Sequence, residues 1–277
     1  MIELSVRGIG LLGPGLADWT SGAAVLRAPA GWRRSATVVP APSRLPANER
    51  RRAGTVVKAA LAVADQAVAM ADADPAQLAT VFTSSTGDPA NCHALCEALA
   101  APDPAARLVS PTRFTNSVHN AAAGYWHIAT HSMRASTSLA VYDASFGAGL
   151  LEAAVWCHVK GEEVLLVACD VPYPEPLHTL RPIADTMAVA LVLAPLRAHG
   201  GHRGACTLRL QTLPEPAAST RCTDAALEVL RGEIPAARAL PLLVGIAMAP
   251  RHAAAPALLH LDVAEGCTLA IEVACPP

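Results

Sequence analysis

The sequence predicts a layered α/β fold with a mainly parallel sheet. Short apolar runs typical of buried strands alternate with longer runs that have helical periodicity. This alternation favours parallel strands joined by helices that cover the sheet. The 277 residues, 52% of them hydrophobic, are enough to bury a sizeable core. Because neither internal repeats nor low-complexity linkers divide the chain, we treat residues 1–277 as a single domain.

Each predicted element follows from its local pattern. Apolar runs bounded by turn residues predict strands at 3–9, 79–83, 138–142, 163–169, 188–193 and 205–212. Apolar residues at helical spacing predict helices at 51–71, 90–99, 117–131 and 145–159. After Pro216, the same patterns predict a helix near 224–231 and strands at 240–248 and 268–273. The order of these last strands in the sheet is left unassigned.

Charge and hydropathy exclude several classes of protein. A net charge of −2, from 21 basic and 23 acidic residues, offers no broad positive field for nucleic acid. The dense basic clusters Arg33-Arg34 and Arg50-Arg51-Arg52 are typical of a solvated surface. No apolar run of about 18 residues is free of charges and turn signals, so no membrane span is predicted. The N-terminus has no basic region before an apolar stretch, and we expect a cytoplasmic protein.

The eight cysteines suggest neither disulfides nor a metal centre. They form no paired C-x-x-C pattern, and in a reducing compartment such residues mostly serve as small buried hydrophobes. Cys92 and Cys96 share one helix face with His93 between them, but no second ligand pair with zinc-site spacing accompanies them. The sequence therefore predicts no metal and no cofactor.

A strand that turns sharply into an apolar helix is the most informative feature of the chain. This segment runs from Ser138 to Ala153 and carries Asp143 at its corner, followed by Ser145 and Phe146. In several acyl-transfer folds, such an elbow presents a nucleophile beside helix N–H groups that stabilise an oxyanion. Asp143 stands where that nucleophile is expected.

The stretch 110–124, SPTRFTNSVHNAAAG, gives the elbow a family context. It resembles the "SP…N…AAG" stretch that precedes the active-site cysteine of β-ketoacyl synthases, which have the thiolase fold. Asp143 lies 19 positions after the last glycine of this stretch, at the register of that cysteine. Ser145 matches the serine that follows the cysteine in the family motif. His119 and Trp126, on the helix between, are expected to be core or interface residues.

Further matches follow in order along the chain. Segments similar to successive motifs of the family are the strand and turn 5–15, the helix after Arg51-Arg52, the turn 83–87, Arg181-Pro182 and the strand 188–193. The resemblance covers residues 1–212, and the tail 213–277 has no assignment. The resemblance implies the N-terminal half of a thiolase-like fold, with a mainly parallel five-stranded sheet and helices on both faces.

The chain departs from the family at the residues on which condensation depends. The resemblance implies that condensation needs the cysteine and two histidines from a C-terminal half, which have no counterpart in this sequence. Gly201-His202-Arg203-Gly204 imitates one histidine motif by letter, but it lies in a connection after a strand, and we give His202 no catalytic role. Because Asp143 cannot act as a thiolate, we expect an inactive subunit that does not condense acyl groups.

The resemblance implies the role of a chain-length factor, a subunit that pairs with a full-length β-ketoacyl synthase and shapes the tunnel in which the product grows. Half-length chains of this kind are similar to subunits of bacterial aryl polyene pathways, within fatty-acid- and polyketide-type biosynthesis. The implied partners are the synthase, as a heterodimer, and an acyl carrier protein. The residues implied to line the tunnel or the interface are Ala90, Ala94, Thr112, Phe114, Ser145 and Phe146.

Two other functions stay open at this point. The D-x-S-x-G pattern around Ser145 is one glycine short of the G-x-S-x-G elbow, which would make Ser145 the nucleophile of an acyl hydrolase or transferase. Such an enzyme needs a positioned histidine, and His119, His127 and His131 stand in no recognisable partner motif. Alternatively, the chain is a purely structural module whose arginine clusters dock an acidic carrier protein.

Overall fold

One mixed sheet of eight strands organises the described part of the chain. The computed structural model describes residues 1–85, 87–196, 206–249 and 256–274. The strands are β1 Ile2–Leu12, β2 Ala79–Thr83, β3 Ser136–Leu139, β4 Val164–Asp170, β5 Met187–Pro195, β6 Cys206–Thr212, β7 Ala257–Ala264 and β8 Cys267–Ala274. The α-helices are α1 Trp19–Arg27, α2 Ala47–Arg52, α3 Thr55–Ala71, α4 Pro89–Leu99, α5 Pro111–Thr115, α6 Ala121–Thr130, α7 Ser145–Lys160, α8 Leu177–Leu180, α9 Ala225–Glu233 and α10 Leu240–Met248.

The sheet is mixed, with the strand order β3-β2-β4-β5-β1-β6-β8-β7. β2 pairs in parallel with β3 and β4, and every other neighbouring pair among the described strands is antiparallel. The α/β class is confirmed, but the expected mainly parallel, five-stranded sheet is wrong. The connection from β4 to β5, residues 171–186, holds only the four-residue helix α8, and β5 returns antiparallel beside β4. The tail extends the same sheet with β8 and β7.

Helices cover both faces of the sheet. α3 packs on one face, against alternate residues of the central strands such as Leu165 and Val167. α7 packs on the other face, against the intervening residues such as Leu166. Gly10 on β1 allows the close approach of α3, because a Cβ there would overlap the carbonyl oxygen of Val63. The two faces together bury the apolar runs that the sequence pattern identified.

Most predicted elements are confirmed within a few residues, but two helical segments differ from expectation. Leu240–Met248, predicted as a strand, is helix α10, because a short apolar run with Pro241 in its first turn fits a buried helix as well as a strand. The predicted helix 51–71 is interrupted at Ala53-Gly54, between α2 and α3. No described helix has both the length and the apolar content needed to cross a membrane.

Candidate functional site

The strand-to-helix elbow predicted from the sequence is present. β3 ends at Leu139, earlier than predicted, and a 3₁₀ turn, Tyr142–Ala144, leads into α7. Tyr142 has a φ of 48°, in the left-handed region, which sharpens the turn. Asp143 therefore stands at the corner between the sheet and the N-terminus of a 16-residue helix.

Asp143 is held by two arginines from distant parts of the chain. Its Oδ1 accepts a hydrogen bond from Arg181 Nη2 at 2.8 Å, and its Oδ2 accepts one from Arg238 Nη2 at 3.5 Å. Arg181 also donates to Ser85 Oγ at 2.6 Å and stacks over the Tyr142 ring, 3.3 Å from its centroid. Because both oxygens are engaged by cationic donors, this carboxylate is arranged as a counter-ion to the two arginines.

Ser145 is a turn residue in this structure. Its Oγ donates to the Tyr142 carbonyl oxygen at 2.7 Å and accepts from the Val141 N–H at 3.0 Å. The residue is only 2% exposed, and no histidine of the described part of the chain hydrogen-bonds to it. Hydroxyls that bond to nearby backbone in this way stabilise turns. The arrangement stabilises the elbow, and among the described residues it includes no histidine base for a serine nucleophile.

A buried carboxyl group lies behind the elbow. Asp170, the last residue of β4, accepts hydrogen bonds at Oδ1 from the Ser85 N–H at 2.7 Å and from Ser84 Oγ at 3.3 Å. Burial raises the pKa of Asp170 to about 7, because the loss of water outweighs these bonds and one from the Ala236 backbone, and the charge of Asp143 adds to the rise. This group therefore changes its charge near neutral pH.

A turn from the tail of the chain packs against the elbow. The buried 3₁₀ turn Pro235–Ala239 packs against α7 and the elbow turn. It supplies the Ala236 backbone to Asp170 and the Arg238 side chain to Asp143. Sequence reasoning missed both Asp170 and Arg238, since no motif marks either and Arg238 lies 95 positions from the aspartate it contacts. The segment without a sequence assignment thus completes the site.

The residues expected to line a tunnel or interface fall into a surface group and a core group. The surface group, on the adjacent helices α4 and α5, comprises Ala90, Ala94, Thr112 and Phe114. The core group, at the start of α7, comprises Ser145 and Phe146. Phe114 is 69% exposed, whereas Phe146 is 1% exposed. A hydrogen bond from Asn91 Nδ2 to the Arg113 carbonyl oxygen, at 2.8 Å, joins the two surface helices. Only the surface group can contact another molecule without rearrangement of the core.

A groove of about 530 Å³ borders β3, the terminal strand of the sheet. Its polar lining comes from His119, Asn120, His127, Ser136 and Ser138. His127 Nε2 lies 3.2 Å from Thr80 Oγ1, and burial lowers the pKa of this imidazole. His119 is exposed, and its Nε2 lies 3.1 Å from the Ser84 carbonyl oxygen, whereas Trp126 is fully buried in the core. The histidines therefore belong to the sheet edge and not to the elbow.

The described residues contain no group of three or more histidine, cysteine or carboxylate side chains that could hold a metal ion. Burial raises the pKa of both Cys157 and Cys222 to about 12. Thiols of this kind are inert packing groups. His202, which imitates a family motif by letter, lies outside the described residues.

Comparison with known proteins connects this geometry to a family. Residues 24–236 match the family described as "Beta-ketoacyl synthase, N-terminal domain". The chain is similar to a structure of the ketosynthase in complex with its chain length factor from Xenorhabdus doucetiae, with 21% identity, a TM-score of 0.68, and coverage of 98% of this chain and 100% of that chain. It is similar to the ishigamide ketosynthase/chain length factor, with 14% identity, a TM-score of 0.70 and 100% coverage of both chains.

A third similar structure contains a type II polyketide synthase acyl-carrier protein in complex with its ketosynthase bound to the hexaketide. The identity is 12%, the TM-score is 0.75, and 99% of each chain is covered. No curated protein matches the sequence. At these identities the solved structures show the fold, while the family match extends over most of the chain, including the elbow and the helices that flank it. This chain therefore belongs to the β-ketoacyl synthase N-terminal domain family.

Proposed function

We propose that this chain is a non-catalytic chain-length factor, which pairs with a full-length β-ketoacyl synthase and shapes the cavity in which an acyl or polyene chain grows. The observation that carries the proposal is that Asp143, which the resemblance places at the register of the nucleophile, is fixed between Arg181 and Arg238. Formation of a covalent acyl intermediate needs an activated nucleophile beside a base. A carboxylate that is engaged by two guanidinium groups does not supply one.

The surface around β3 supports pairing with another chain. As the terminal strand of the sheet, β3 leaves one row of backbone N–H and C=O groups unpaired within the described part of the chain. Large exposed apolar side chains stand shortly before and after it in the sequence, namely Met133 and Tyr142. Two similar solved structures are described as ketosynthase/chain length factor pairs, which agrees with a synthase as the partner. A third includes an acyl-carrier protein, which we propose as the source of substrate.

The alternative functions have less support. A hydrolase that uses Ser145 is disfavoured, because the hydroxyl group is engaged by Tyr142 and Val141 and has no histidine partner among the described residues. A carrier-protein contact through the arginines of α2 is compatible with the proposed role, since these side chains lie on the surface. The product of the assembled pair distinguishes a docking module from a subunit that determines chain length.

Restoring a thiol at the elbow is not expected to restore condensation. In Asp143→Cys the thiol lies beside Arg181 and Arg238, whose charges favour the thiolate, so it should react with iodoacetamide faster than the exposed Cys96. Condensation of acyl and malonyl carrier substrates, followed by mass spectrometry, should stay undetectable, because no histidine of the described residues hydrogen-bonds to Asp143 or Ser145. Product formed by the isolated variant would contradict the proposal.

A bulky residue on α4 is expected to shorten the product. Ala94 is half-buried on a helix in which Pro89 is the only buried residue, so the space beside it is available to a ligand or partner. In Ala94→Trp an indole fills that space, and overpacking typically costs about 1–3 kcal/mol for whatever shares it. The variant, reconstituted with its synthase, should shift the mass distribution to shorter chains while early condensations continue.

The matched control for this experiment is Ala69→Trp, which places the same side chain on the exposed surface of α3. Its products should have the wild-type length. An unchanged distribution for Ala94→Trp in an intact heterodimer would show that α4 does not determine length. Equal shortening by both variants would point to a general effect of added bulk.

A further inference from the structure

Two positively charged groups meet one negatively charged group at the elbow. Arg181 Nη2 and Arg238 Nη2 approach the two oxygens of Asp143 at 2.8 and 3.5 Å. The charge of Arg238 lowers the pKa of Arg181, after a larger effect of burial in the same direction. A single carboxylate therefore offsets the repulsion between two guanidinium groups.

The two arginines are held by contacts other than those with Asp143. Arg181 stacks on the neighbouring tyrosine ring and donates to Ser85 Oγ. Arg238 belongs to the buried turn Pro235–Ala239, which is anchored against α7. The Nε atoms of both arginines are buried and have no hydrogen-bond partner within the described ranges, so Asp143 does not use all of their donors. Removal of the carboxylate would leave both cations in place.

The neighbouring buried carboxyl group is not a substitute for this counter-ion. Asp170 is engaged by the backbone N–H groups of Ser85 and Ala236 and by the Ser84 hydroxyl, and none of these bonds comes from an arginine. With a pKa of about 7 it is largely protonated in weakly acidic solution. Among the described residues, the carboxylate at position 143 is therefore the group that neutralises the charge of the arginine pair.

We propose that Arg181 and Arg238 form a binding site for a small carboxylate anion, of which the Asp143 side chain is the built-in occupant. A guanidinium group binds a planar carboxylate through parallel N–H donors, and two such groups here converge on one position. Asp143 is then a positioning residue that joins the elbow to the tail. The inference rests on this geometry alone and holds whether or not the chain acts as a chain-length factor.

The test uses Asp143→Ala, which lacks only the carboxylate, so that formate supplies the missing atoms. Thermal unfolding is compared in sodium formate and sodium chloride at equal ionic strength, near pH 6. We expect formate at about 100 mM to raise the midpoint by roughly 2–4 °C over chloride, in a saturable manner. The wild-type protein, whose site is filled, should show no difference between the two salts.

Two variants serve as controls. Asp143→Asn keeps the space filled, and Asp143→Ala combined with Arg181→Met lacks one half of the site, so neither should respond specifically to formate. An equal response in the wild type or the double variant, or none in Asp143→Ala, would overturn the site. If Asp143→Ala does not fold in chloride, it is refolded from urea in each salt. Recovery in formate alone supports the site, and failure in both salts overturns it.

Discussion

Produced alone, the chain is expected to aggregate, whereas co-production with a full-length β-ketoacyl synthase keeps it in solution as a heterodimer. The physical reason is that no described strand pairs with the outer edge of β3, together with the large apolar side chains exposed between positions 108 and 142. These side chains are Leu108, Phe114, Val118, Ile128, Met133 and Tyr142. A stable interface buries at least about 1,000 Å², and this region is the strongest candidate for it. Size-exclusion chromatography with light scattering, on the lone chain and on the pair, measures the outcome.

The variant Ser138→Pro tests pairing at this edge without disturbing the fold of the chain. The carbonyl oxygens of Ala135 and Leu139 accept hydrogen bonds from N–H groups in β2 and just after it. Because backbone groups alternate in direction along a strand, the Ser138 N–H points away from β2. Proline at this position removes an outward donor and is tolerated in an edge strand. The variant should keep its circular dichroism spectrum but lose the complex. A monodisperse wild-type monomer at micromolar concentration would contradict the whole prediction.

The stability of the chain is expected to fall as the pH rises from about 4 to about 7, because of Asp170. Its pKa is near 7 in the folded state but near 3.8 when unfolded, so between these values the folded state binds the extra proton. The stabilising contribution is complete below about pH 4 and is lost above pH 7. One pKa unit corresponds to about 1.4 kcal/mol, so the contribution of Asp170 to the free energy of unfolding falls by roughly 4 kcal/mol between these two pH limits.

Urea unfolding of the wild type and Asp170→Asn across this pH range measures the effect as a difference between the two proteins. The amide does not titrate, so the variant should lack the Asp170 contribution to the slope. The other titratable groups contribute equally to the pH dependence of unfolding in the two proteins. Arg231 lowers the pKa of Glu228 from 4.5 to about 2, so the contribution of Glu228 to stability is lost as the pH falls below about 4.5. The lowered pKa of His127 opposes the Asp170 slope. Asp74→Asn, at an exposed cap, is the matched control. Parallel slopes for wild type and Asp170→Asn would contradict the prediction.

The elbow could be predicted because its strand, turn and helix lie within one short stretch of sequence. The same stretch places Asp143 at the corner, and the apolar runs before and after it determine which residues are buried. The partners of Asp143 could not be predicted, since Arg181 and Arg238 are 38 and 95 positions away and reach it only in the folded chain. Asp170 also has the pattern of an ordinary strand end, and only its burial gives it an unusual charge.

The sheet was predicted less well than its elements, for a related reason. Strand and helix periodicity describe local burial, whereas parallel or antiparallel pairing depends on how the chain returns between strands. The chain returns antiparallel from β4 to β5 through the connection that contains α8, and the apolar pattern of the two strands does not indicate the direction of this return. In the tail, Leu240–Met248 is apolar on all sides, which removes the periodicity that distinguishes a helix from a strand.

The central position of β1 has a consequence for synthesis on the ribosome. Both neighbours of this strand, β5 and β6, begin only at Met187 and Cys206, so its pairing must wait for about 175 further residues. At roughly 5–20 residues per second, that delay lasts about 10–35 s. During this interval an apolar strand with open backbone groups is exposed on the nascent chain, a stage at which chaperones act. Slower translation of the segment that encodes 13–186 should therefore lower the yield of native protein more than slower translation of the tail.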